Sequence, residues 1–306
     1  MTIVGGALKA LVCSFGRFWL IIMLVAIGAA GTWRSGLTAQ ASIERGEYIF
    51  HVAGCLTCHS TEGAPPLAGG HRFDTPFGVF ISPNITPDKS HGIGAWSEQD
   101  FMRALRYGLA PDGRHYYPVF PYTSYTRMSE QDMRDLFAYL RTTEPAARPN
   151  ETHELVWFAR SRLGNRVWKA LFLDPGAYQP DGRRSERWNR GAYIAEALAH
   201  CGECHSPRGV LGAVDGARHL SGNPQGLGGD VIPNITPHAS ADVSSWVAVD
   251  YAAYLSYGEM PDGDYAGGMM ATVIDEGLSK LTETDRAALI EYLMTLRPLP
   301  MKGARP

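Results

Sequence analysis

Two short stretches decide the reading of this chain: Gly54-Cys55-Leu56-Thr57-Cys58-His59 and His200-Cys201-Gly202-Glu203-Cys204-His205. Each holds two cysteines three positions apart and a histidine directly after the second. Working outward from them, residues 43–145 and 186–298 align as two copies of one unit. Arg45-Gly46-Glu47-Tyr48 matches Arg190-Gly191-Ala192-Tyr193, and each opens a helical stretch that runs into its Cys/His motif. Pro-Asn-Ile-Thr-Pro follows at 83–87 and again at 233–237. Trp96 and Asp100 then answer to Trp246 and Asp250, and YGLAPDG (107–113) to YGEMPDG (257–263).

Helix signals dominate both copies. Ser97-x-x-Asp100, Ser129-x-x-Asp132 and Thr282-x-x-Asp285 place a hydroxyl and a carboxylate where a capping box needs them. Met133, Leu136, Phe137 and Leu140 follow at helical spacing. No comparable alternation predicts strands, so the fold class is mainly α. Gly46 with Tyr139, and Gly191 with Tyr292, mark the expected crossings of first and last helices. Glycine on one helix admits an aromatic from the other.

The twice-repeated cysteine pair with its histidine fits one attachment chemistry: two thiols add to the vinyl groups of haem, and the histidine ligates the iron. A shared four-cysteine zinc site or two CxxC disulfides are the alternatives. Both leave unexplained the histidine in the same slot of each copy. The reading is therefore two covalently bound haem c groups, held by Cys55, Cys58 and His59 and by Cys201, Cys204 and His205.

The bulk composition is compatible with this. The chain has 306 residues, 45% of them hydrophobic, and a formal net charge of -3, which supplies no basic field for nucleic acid. Lys9 and Arg17 precede an apolar run from Phe18 to Trp33 that ends at Arg34. This is an export segment, read as a retained transmembrane anchor with the rest of the chain outside the cytoplasm. Cleavage at Ala39-Gln40-Ala41 is the other possibility. The fifth cysteine, Cys13, lies ahead of this run and has no partner in the pattern. The domain plan is an N-terminal segment (1–36), a first haem domain (43–145), a linker (146–185) and a second haem domain (186–300). The linker carries a helical, aromatic stretch at 155–173 with Trp157, Phe158, Trp168 and Phe172. It could pack between the domains, lie on a membrane surface or dock a partner.

With these motifs in place, the chain resembles two tandem class I cytochrome c domains. More narrowly, NITPD…GIGAWSEQDFMRAL, YYPVFPYTSY and WNRGAYIAEALAHCGECHSPRG resemble the cytochrome c subunits of membrane-bound bacterial dehydrogenases. The resemblance implies electron transfer in the periplasm. The donor would be a dehydrogenase subunit of molybdenum, quinoprotein or flavin type, and the acceptor quinone or a terminal oxidase. The best-known members carry three haems, whereas two motifs stand here.

The sixth ligand of each iron is read by counting from the shared Pro-Asp-Gly. Seven residues beyond Gly263 stands Met270, with Met269 beside it. The same count from Gly113 reaches Phe120, which cannot bind iron. Met128 is then the candidate for the first haem, although it aligns with Leu281, and His115 and Tyr116 are further candidates. A haem enzyme, such as a peroxidase with an open first iron, is the alternative function.

Overall fold

The computed structural model describes residues 39–226, 229–301 and 303. The chain divides into two compact units, Met1–Glu44 and Arg45–Pro306. Of the first unit, residues 39–44 are described and are helical. The expected anchor and Cys13 lie outside the described residues. Among the described residues, no helix is long and apolar enough to cross a membrane.

From Arg45 onward, both repeats lie in the second unit. The first repeat contains helical residues 45–52 (α1), α2 (Cys55–His59), β1 (Arg72–Thr75), β2 (Gly78–Ile81), α3 (Glu98–Tyr107), α4 (Tyr122–Tyr125) and α5 (Glu130–Leu140). β3 (Glu154–Leu155), a 3-10 turn (Trp157–Arg160) and α6 (Arg162–Phe172) follow. The second repeat contains α7 (Glu186–Tyr193), continued by a π turn (Ile194–Leu198), then α8 (Gly202–His205), α9 (Ala248–Tyr257), α10 (Gly268–Glu276) and α11 (Glu283–Met294).

The fold is mainly helical, with one addition that the sequence reading did not foresee. Three short antiparallel strands form a sheet in the order β1-β2-β3. Phe73 pairs with Phe80, and Val79 with Glu154. Gly78, at φ 107°, makes the turn, where Thr75 Oγ1 donates to its carbonyl at 2.7 Å. Phe80, Tyr117 and Leu155 then form a small core of their own. Strands of two to four residues in a Gly/Pro-rich stretch leave too short an alternation to read. They also tie the start of the linker to the first repeat. Asn84 strengthens that tie by donating to the carbonyls of Ala146 and Arg148.

The two glycine crossings hold. A β-carbon on Gly46 would lie 1.9 Å from Asp135 O, and one on Gly191 would lie 2.0 Å from Ala288 O. Tyr139 and Tyr292 stand beside them, as expected.

The caps came out differently from one another. Ser97 and Asp100 form a complete capping box. At α5 and α11 the hydroxyls of Ser129 and Thr282 do cap, accepting the Asp132 and Asp285 N–H groups. The carboxylates, however, turn away from the box. Asp132 takes Arg45 at 2.7 Å, and Asp285 takes Arg190 at 2.6 Å. Each also accepts a tyrosine hydroxyl from the other repeat: Tyr193 on Asp132 at 2.6 Å and Tyr48 on Asp285 at 2.5 Å. A charged guanidinium and a phenol together outbid one backbone N–H for a buried carboxylate. The Ser129 N–H, left free, donates instead to Tyr193 Oη at 3.0 Å.

Candidate functional site

Each Cys/His motif folds as about one turn of helix after a left-handed residue. Gly54 takes that position at φ 63° in the first repeat, and His200 takes it at φ 42° in the second. A side chain there costs energy that glycine avoids. The His200 ring is held by an edge contact with Tyr125 of the first repeat, at 5.3 Å between centroids.

The histidines are oriented in the same way in both copies. His59 Nδ1 lies 2.7 Å from Pro83 O, and His205 Nδ1 lies 2.8 Å from Pro233 O. A carbonyl can only accept, so Nδ1 carries the proton and Nε2 keeps its lone pair for a metal. Burial, opposed by the carbonyl bonds, holds both imidazoles below the ordinary histidine range, which favours the neutral ligand form.

The surrounding loop is a fixed frame. Gly69 N–H donates to His59 O, and Gly222 N–H to His205 O. Ser60 and Ser206 hydroxyls accept from Leu67 and Leu220 N–H groups. Those two buried leucines share the left-handed region, at φ 62° and 61°. In each Pro-Asn-Ile-Thr-Pro segment, the asparagine carbonyl accepts both the N–H and the hydroxyl of the threonine. The sequence reading treated this pentapeptide as a landmark of duplication. Its first proline is in fact the histidine's partner, and exact repetition at a similar distance after each motif was the available signal.

Cys55, Cys58, Cys201 and Cys204 are half-buried and free of disulfides. Burial pushes the thiols up, Cys55 and Cys201 to about 12 and Cys58 to about 11. Among the described residues, no three His, Cys, Asp or Glu side chains converge as a metal cluster.

The distal candidates differ between repeats. Met270 lies in α10, partly buried against the main core, while its neighbour Met269 is exposed. Phe120 packs edge-on to Tyr116 and Tyr122. Met128 is fully buried directly ahead of the Ser129 cap, and Leu281 is buried in the equivalent place ahead of Thr282. The His115 carbonyl accepts Arg162, and burial pushes Tyr116 up to about 12.

The two motifs are also linked to each other. α4 of the first repeat packs on the π turn before the second motif, and α10 packs on α2. Thr123 and Ser124 hydroxyls donate to Glu203, inside the second motif, at 2.6 and 3.0 Å. Tyr125 donates to Ala53 O, just ahead of the first motif, at 2.9 Å.

A family model, cytochrome c, matches residues 43–144 and again 189–297. The chain belongs to the cytochrome c family. As a cytochrome c with two domains, it is an electron carrier with two covalently bound haem c groups. The residues fit that cofactor: paired thiols, an imidazole with its Nε2 free, and an apolar surround in each copy. Among its relatives is a dihaem cytochrome c-type protein of Cereibacter sphaeroides, 44% identical over 90% of this chain and 95% of that protein. The gluconate 2-dehydrogenase cytochrome c subunit of Pantoea cypripedii is 36% identical over 84% of this chain. The fructose dehydrogenase cytochrome subunit of Gluconobacter japonicus is 36% identical over 86%. This cytochrome c spans 60% and 54% of those two longer subunits.

Proposed function

We propose that this cytochrome c is the electron-transfer subunit of a periplasmic dehydrogenase. It would receive electrons from a molybdenum, quinoprotein or flavin subunit and pass them to quinone or a terminal oxidase. The N-terminal run from Phe18 to Trp33 would hold it on the inner membrane. The names of the gluconate and fructose dehydrogenase relatives support the partner class. The observation that carries the reading is the pair of identically built histidine frames inside one compact unit.

When bound, haem supplies a one-electron couple. The chain's part is to hold it. Cys55, Cys58 and His59 would fix one group, and Cys201, Cys204 and His205 the other. The Pro83 and Pro233 carbonyls set the tautomer and angle of each imidazole. Met270 is proposed as the further iron ligand of the second site and Met128 as that of the first. The bonds from Thr123, Ser124 and Tyr125 keep the two motifs at a fixed separation, which a carrier with an internal transfer step requires.

The test is capture of the cytochrome from membranes without harsh detergent. A dehydrogenase should co-purify, and its substrate should reduce both haems. If the cytochrome emerges alone, and no dehydrogenase substrate reduces it in the membrane, the partner assignment is wrong.

A further inference from the structure

Helix α6 is inside out. Its buried residues are Asn165 and Lys169. Lys169 Nζ donates to the Tyr107 and Gly108 carbonyls at the end of α3, at 2.6 and 3.0 Å. Asn165 and Arg162 reach the His115 carbonyl, and the Arg162 guanidinium sits 4.2 Å from the centre of the Tyr117 ring. Trp168, one of the four aromatics of the linker stretch, is turned inward. Its Nε1 donates to Leu211 O at 2.8 Å, and its ring meets Tyr122. These polar anchors fix the rotation of the helix.

Leu163, Val167 and Leu171, at i, i+4 and i+8, are consequently turned to solvent, 68%, 56% and 64% exposed. Trp157, at 82%, and Phe158 are exposed on the preceding 3-10 turn. An exposed apolar helix face of this kind calls for a covering surface. The charge around it selects the kind. Residues 155–173 contain Arg160, Arg162, Arg166 and Lys169 and no Asp or Glu, in a chain of net charge -3. None of those four cations is in an ion pair among the described residues, whereas arginines elsewhere on the surface commonly are, as with Arg72, Arg134 and Arg148. Arg160 and Arg166 are exposed on this segment, Arg162 is half-buried and Lys169 buried beneath it, while the flanking carboxylates of Glu154 and Asp174 are paired with Arg72 and Arg127. An apolar stripe with Trp and Phe beside unpaired exposed arginines has the composition of a helix lying in the plane of a bilayer interface.

We propose that α6 and its leading turn form a membrane-surface face, seating Trp157, Leu163, Val167 and Leu171 in the headgroup boundary of an anionic bilayer. The proposal deepens the membrane placement given above, and its test separates the two. The full haem-loaded chain carrying Val167→Cys, labelled with a nitroxide, is reconstituted in phosphatidylglycerol and phosphatidylethanolamine vesicles. Collisions of the label with oxygen should exceed those with a water-soluble nickel chelate. Adding Leu163→Gln and Leu171→Gln should invert that ratio with the haem spectrum unchanged. If nickel collisions dominate in vesicles without those glutamines, the proposal is overturned. Protection of the label only when a dehydrogenase subunit is added would make the face a protein interface instead, which also overturns it. Retention of the chain on vesicles at high salt reports on the N-terminal anchor by itself. A chain that washes off in salt, yet shows the oxygen-dominated label at low salt, keeps this inference and loses the anchor.

Discussion

The two repeats agree in the frame around each histidine and diverge at the candidate sixth-ligand positions. His59 and His205 share the same carbonyl bond, although their proline partners lie 24 and 28 residues away. Leu67 and Leu220 share the same left-handed bend. At the candidate sixth-ligand position, by count from Pro-Asp-Gly, Phe120 stands where Met270 does, and a four-residue α4 replaces the nine-residue α10. Beside the motifs, Glu196 accepts from both Tyr292 and His219 in the second repeat, at 2.6 and 2.8 Å. His51, its counterpart by alignment, instead engages the Glu276 carbonyl. The cysteines and histidine that would hold a haem sit in closely matched frames in the two copies. Potential is set by the distal ligand and nearby charge, and there duplication is free to make the two sites unequal.

The strongest way to break the comparison is to remove one frame. Cys55→Ser with Cys58→Ser should leave a protein with one haem addition by mass spectrometry, and the surviving spectrum should be that of the second site. Loss of both haems would show that the copies do not load independently.

Next in size is the ion pair common to both repeats. Asp132→Ala or Asp285→Ala leaves a guanidinium and a phenol without their acceptor, and each should cost about 2–3 kcal/mol in denaturant melts. pH sharpens this. Burial alone would raise the Asp285 carboxyl, but the bonds from Arg190 and Tyr48 bring it below the usual carboxylate range. The stability it contributes is present above the ordinary aspartate value and is lost as pH falls through the lower folded-state value. Wild-type melting temperature should therefore drop below about pH 4, and Asp285→Asn should flatten part of that drop.

The distal difference predicts smaller, site-specific changes. Met270→Ala should lower the potential of the second haem and open it to carbon monoxide. Met128→Ala should do the same to the first, and Phe120→Met should bring the two potentials closer together in a redox titration. Should Met128→Ala leave the first haem's potential and carbon monoxide response untouched, Met128 is a packing residue like Leu281.

The smallest effect concerns the left-handed position. His200→Gly relieves about 1 kcal/mol of backbone cost but loses the Tyr125 contact, so the net change in melting should stay within about 1 kcal/mol. A large loss would mean that the His200 ring is structurally essential where Gly54 needs none.

The helices, their caps and the repeat were legible because they are local: N-cap hydroxyls, helical spacing and duplicated words need no partner to be seen. The carbonyl bonds of Pro83 and Pro233 were not, since any residue has a carbonyl. The diversion of Asp132 and Asp285 was hidden for another reason. The same carboxylate satisfies a capping-box pattern and an ion pair, and only the distance to Arg45 or Arg190 decides between them. Trp168 and Trp157 look alike in a list of aromatics, and only Lys169 and Asn165, whose polar side chains pin the helix, distinguish the inward from the outward one.

The crossed tyrosines carry a historical implication. Tyr48 reaches the carboxylate of the second repeat, and Tyr193 reaches that of the first. Contact of i with j answered by contact of j with i is the signature of an isologous two-fold interface. One half-chain already owns the donor, Tyr48, and the matching acceptor, Asp132. A one-haem ancestor built this way could pair with a second copy of itself, and tandem fusion of its gene would have made that homodimer permanent, after which each haem side was free to specialise without losing its mate.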